Sequence, residues 1–151
     1  MADTDKKEET PESAQPSFSI QKIYVKDISF ETPNSPQIFQ KQWQPAVNMD
    51  LENSVRKLDN NFHEVVLSIT VTVSFENETV YLIEVLQAGV FQLINIPDEI
   101  LERMLNTMCP NILFPFAREV ISDLVTKGGF PQLLIAPANF EALYEQKIKK
   151  H

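Results

Sequence analysis

The chain has 151 residues, 43% of them apolar, which fits one domain with a core of useful size. A net charge of −8 argues against a phosphate-backbone binder and weakly against an anionic membrane surface, and it suits a basic partner better. A single cysteine leaves no internal disulfide, and the sequence shows neither a signal-peptide pattern nor an apolar run long enough to span a membrane, so a cytoplasmic protein is expected.

Residues 1–17 are rich in Glu, Asp, Ser and Pro without periodicity and are expected to form a disordered acidic arm, with residues 18–151 as a single domain. Phe18 and Ile20 alternate with polar residues, as do Ile28 and Phe30. The pattern slips a register at Gln21–Lys22, which predicts one bulged strand or two short ones. Thr32 to Pro36, TPNSP, is a breaker. From Trp43 to Leu51 the chain alternates again, with Trp43, Val47, Met49 and Leu51 on one face. Pro45 cannot donate to a ladder, so this strand lies at an edge or begins after the proline.

Val65, Leu67, Ile69, Val71, Val73 and Phe75 form the strongest strand row, and Ser68, Thr70, Thr72 and Ser74 point the other way. That Ser/Thr face is either solvated or pairs with another copy. Glu76-Asn77-Glu78 predicts a turn, and Thr79 to Leu93 returns as the second strand of a long hairpin, with Gly89 a bulge or a point of close contact. The last third has helical spacing. A helix is predicted from about Glu99 to Met108 with Asp98 as N-cap, and another from Pro110 to Gly128-Gly129, starting late or kinking at Pro115. An extended apolar loop, Pro131 to Pro137, precedes a last helix capped by Asn139. Strands followed by helices imply an α+β fold, with helices on one face of an antiparallel sheet.

Catalytic signals are weak. Neither His63 nor His151 lies near Cys109 in sequence, and no CxxC, HExxH or metal-ligand spacing occurs. With three glycines there is no phosphate-cradling loop. No catalytic residue, metal or cofactor is expected. His63 is expected as an exposed strand residue and Cys109 as a small residue at a helix junction. The apolar residues at Trp43, Val47 and Met49 and the Leu133, Leu134, Ile135 run mark either a binding surface or segments that fold over to complete the core.

Four blocks in order, Phe18 to Pro45, EVVLSITVTVS from Glu64, CPNILFPFARE from Cys109 and FPQLLIAPANFEAL from Phe130, resemble the bacterial SecB protein-export chaperones. The resemblance runs from Phe18 to about Tyr144. It implies a four-stranded antiparallel sheet with helices on one face, a homotetramer built as a dimer of dimers, and binding of unfolded precursor proteins without ATP or cofactor. It also implies delivery of those clients to the SecA motor ATPase. The family's SecA-facing positions fall on Asp27, Glu31, Leu82 and Glu84. Its assembly positions fall on Ile83, Val85 and Gln87, in a strand where this chain has Leu86 and Ala88 and members often carry glutamine and glycine. A client groove is expected from Trp43, Val47, Met49, Leu51, Leu133, Ile135, Phe140 and Leu143. Members often end in a longer glycine- and acid-containing tail, whereas this chain ends EQKIKKH, so any tail contact stays open. The competing reading from another class is an oligomeric β-rich adaptor that binds a folded partner protein.

Overall fold

Period-two alternation dominates residues 17–94, and these residues build one antiparallel sheet. A computed structural model of the chain describes residues 15–42 and 44–149; most of the expected acidic arm, Trp43 and the last two residues lie outside them. The strands are β1 (Ser17–Glu31), β2 (Ala46–Lys57), β3 (Phe62–Phe75) and β4 (Glu78–Ile94), in the order β1-β4-β3-β2. The apolar row Val65, Leu67, Ile69, Val71 and Val73 is fully buried, as are Ile83 and Val85 beside it. Three helices cover this side: α1 (Asp98–Asn106), α2 (Met108–Lys127) and α3 (Phe140–Lys149). Among the described residues, the other side of the sheet carries no helix.

The register slip expected near Gln21 is a bulge within one long strand, between Ile20 and Lys22, and a second shift falls between Val25 and Asp27. β2 starts directly after Pro45 and also lies at the sheet edge, so both alternatives for the proline hold together. β2 runs on to Lys57, beyond the alternation recognisable in sequence, because a turn with positive φ at Asn60 and Asn61 folds it onto β3. Glu76 and Asn77 both have positive φ, the two-residue turn geometry that matches strand twist.

Gly89 is not a bulge. Its pairing with Ile23 and Val65 is regular, and a Cβ there would lie 2.7 Å from the Phe91 ring and 3.0 Å from Leu113 of α2. It is a point of close contact between α2 and the sheet. At α1 the N-cap position belongs to Pro97, with Asp98 the first helical residue, because Asp98 already has helical backbone geometry and makes no capping bond. Asp98 and Glu99 still sit in the first turn, where carboxylates suit the helix dipole. α2 starts at Met108, two residues earlier than expected, since Pro110 in the first turn needs no donor. It continues through Pro115, which is exposed, so solvent reaches the Asn111 carbonyl freed by the missing N–H. Gly129, at φ 86°, ends α2. Asn139 Oδ1 accepts the Ala142 N–H at 3.0 Å, the expected cap of α3.

Candidate functional site

Residues paired across antiparallel strands point to the same side of the sheet. Asp27 pairs with Leu86, Ser29 with Glu84 and Glu31 with Leu82. These β4 residues alternate with the buried row, so Asp27, Glu31, Leu82 and Glu84 all stand on the open face. The three acids are exposed and Leu82 is half-buried. The register extends the same rows to the far edge: Glu84 through Thr70 to Asp50, and Leu86 through Ser68 to Glu52. Alternation alone put Asp50 on a polar face; only the pairing shows that it lines up with Glu84.

The opposite end of the open face has a different character. Glu64 is buried and takes a hydrogen bond from the Tyr24 hydroxyl. Lys26 Nζ lies 2.8 Å from its Oε1, and Arg56 lies 3.6 Å away. These donors, Lys26 first, hold the Glu64 carboxyl below the usual range against the cost of burial. Burial and the Glu64 charge push the Tyr24 hydroxyl up to about 12. Tyr24 pairs with Ala88 of β4 and Glu64 with Val90 of the same strand, so their contact spans β4.

The expected client residues lie on the helix side, at the β2 edge. Val47 is 49% exposed, while Met49 and Leu51 are half-buried against the core. Leu51, Phe140 and Leu143 converge on a cavity of about 300 Å³ beneath α3, shared with Leu67, Asn53 and Tyr144. Asn53 Nδ2 donates to the Leu105 carbonyl at 3.2 Å, which fixes the orientation of the amide and leaves its buried Oδ1 without a partner. Leu133 lines a second opening, of about 580 Å³, with Phe39, Tyr81 and Phe130. Phe39 stacks on Phe130 at 5.1 Å and Tyr81 tilts against it at 4.8 Å. Phe140 is buried in the lining of the first cavity, whereas Ile135 is buried in the core and lines neither opening. Trp43 lies outside the described residues. Sequence reasoning missed Phe39, Tyr81 and Phe130, which only the crossing from β1 to β2 and the end of α2 bring together.

Ile83, Val85 and Gln87 point to the helix side and are buried within this chain. Gln87 Nε2 donates to the Tyr24 carbonyl at 3.1 Å, and its Oε1 is unpartnered. It lines a crevice of about 950 Å³ between β1 and α2, with Val25, Ile28 and Phe116 among the exposed apolar walls.

A family model described as preprotein translocase subunit SecB matches residues 11–151. The chain is 55% identical over 150 residues to the protein-export protein SecB of Nitrosococcus oceani, covering 97% of this chain and 92% of that one. It is 51% identical over 140 residues to that of Methylococcus capsulatus, covering 91% and 90%.

The chain belongs to the SecB family.

A solved SecB-like chaperone of Mycobacterium tuberculosis, in complex with an antitoxin peptide, matches over 81% of this chain and 91% of that one. At a TM-score of 0.67 and 17% identity, this likeness supports the fold alone. SecB is a chaperone family for protein export and not an enzyme family, and Cys109 accords with that. The thiol is buried, and burial pushes it up to about 12, the reverse of an activated nucleophile. His63 is buried, not exposed, because the β2–β3 pairing turns it to the helix side opposite Lys57 and Phe91. Burial and the Lys57 charge hold it below its ordinary value. Among the described residues no group of His, Cys, Asp and Glu is placed to hold a metal ion, and no helix is long and apolar enough to cross a membrane.

Proposed function

We propose that this export chaperone is a cofactor-free holdase. It binds unfolded precursor proteins in the groove between β2 and α3, works in the cytoplasm as a dimer of dimers, and passes its clients to a SecA-like motor at the acidic open face. The observation that carries the reading is the separation of the two surfaces. Val47, Met49 and Leu51 face the helix side of the sheet, while Asp27, Glu31, Leu82 and Glu84 face away from it. A client and a motor can therefore occupy one chain together. A segment burying about 200 Å² of apolar area gains roughly 5 kcal/mol before ordering costs, so each site is weak and weakly selective. Several subunits raise this through effective concentration.

Assembly fits the crevice between β1 and α2. β1 is an edge strand, and its Ile20, Val25 and Ile28, with Phe116 of α2, are 40–45% exposed, a surface that a second copy would cover. Buried Ile83, Val85 and Gln87 support that surface from beneath, setting how α2 and β1 sit, rather than touching the second copy.

The test is fluorescence anisotropy of one labelled precursor, presented unfolded and then folded. The holdase reading predicts saturable binding of the unfolded form alone. An adaptor for a folded partner predicts the reverse, and that result would reject the proposal.

A further inference from the structure

Among the described residues of α3, only Phe140 is buried. The ten residues before it, 130–139, have no regular structure. Phe140 anchors the first turn, packing edge-on against Phe114 at 6.0 Å. Beyond that turn Tyr144 is half-buried and Glu145 to Lys149 are exposed. The cavity of about 300 Å³ lies on one side of Tyr144 and Lys147, and a second, of about 420 Å³ with Glu102 and Ile148, also borders them. One charged side chain of α1 reaches this helix. Arg103 of α1 places Nη1 3.0 Å from Glu141 Oε2, and its guanidinium carbon sits 5.3 Å from the centre of the Tyr144 ring. Glu141 and Tyr144 are three residues apart, so they share a helix face and one guanidinium meets both. Among the described residues this is the one ion pair between α3 and the rest of the chain.

A ten-residue helix is marginal on its own, and a segment with so little burial opens locally before the sheet does. The floor exposed by such opening holds Leu51 and Leu67, and the unpartnered Oδ1 of Asn53. We propose that Arg103 is a positioning residue for client capture, latching α3 over the groove so that its release admits the client segment. This rests on the groove being the client site. An exposed ion pair and a surface cation–π contact together shift an open–closed balance by about five-fold. If the closed form dominates and clients enter the open one, removing the latch raises the association rate by about the same factor.

The experiment pairs hydrogen exchange on the free protein with stopped-flow binding of a fluorescent, reduced and unfolded polypeptide. Arg103→Ala is expected to speed exchange at α3 about five-fold, leave exchange in β3 and β4 unchanged, and speed association about five-fold. Arg103→Lys, which keeps the charge, is expected to restore most of both. Added salt is expected to speed association in the wild type and not in Arg103→Ala. Unchanged exchange at α3, or equal acceleration in the sheet, overturns the latch. Faster exchange with unchanged association overturns α3 as a gate. A wild type that binds no unfolded polypeptide overturns the groove assignment itself, an outcome distinct from the other two.

Discussion

Reversing two charges on the open face is expected to separate motor docking from client binding. Asp27 and Glu31 lie four residues apart on β1, about 13 Å at strand rise, with Glu84 opposite Ser29 between them. Neighbouring acids are therefore within about a Debye length of each other and act on a partner as one field. Each exposed pair with a partner cation contributes about 0.2–1 kcal/mol. Asp27→Lys with Glu31→Lys removes two attractions and adds two repulsions. At about 0.5 kcal/mol each, the loss is about 2 kcal/mol, or about 30-fold in affinity for a purified SecA-type motor. Neither acid makes an ion pair within the described residues, so folding is untouched. Titration calorimetry at low and high salt reads the effect. The 30-fold gap shrinks to a few-fold near 1 M salt, where the Debye length is about 3 Å, while affinity for an unfolded client does not change. Equal loss of both affinities, or no loss of motor binding, would refute the assignment of the faces.

Leu143 is 43% exposed above the groove, so Leu143→Ser leaves stability within about 0.5 kcal/mol and weakens client binding about five-fold, read by anisotropy. Gly89→Ala drives a methyl into Phe91 and Leu113 and costs about 1–3 kcal/mol, read as a lowered urea midpoint at unchanged slope. His63 is held below its ordinary 6.5 in the folded state, so the unfolded chain binds its proton first. Stability then falls as pH drops below about 6.5, and Glu64, held below 4.5, adds a second loss at more acid pH as its carboxylate is protonated. Denaturation midpoints between pH 7.5 and 5.5 check the first step, and His63→Gln is expected to flatten it.

The strand row from Val65 to Phe75 was legible because one of its faces is buried from Val65 to Val73 and the other is mostly polar. β1 was legible as alternating pieces, with its first bulge marked by the slip at Gln21. The second, near Lys26, left no mark, because Lys26 is drawn to Glu64 by charge and not by pattern. β2 past Leu51 was hidden for the same kind of reason: Asn53 faces inward on a bond to the Leu105 carbonyl, 52 residues away in sequence. The buried state of His63 follows from the β2–β3 register, which no local window contains. At the candidate site, the shared face of Asp27, Glu31, Leu82 and Glu84 required the order β1-β4, a pairing between the first and last strands. The apolar groove residues were recognisable by type, while the aromatic cluster of Phe39, Tyr81 and Phe130 assembles from three separate segments. The four sequence blocks carry the family resemblance without any of these long-range contacts.

The measurement that bears most directly on the central claim is light scattering during the refolding of an aggregation-prone precursor, with four chaperone chains per precursor and no nucleotide present. The account predicts that scattering is suppressed, and that Leu51→Asp with Leu143→Asp removes the suppression while Asp27→Lys with Glu31→Lys does not. Unimpeded aggregation with the wild-type chain, or protection lost only on the acidic face, would contradict it.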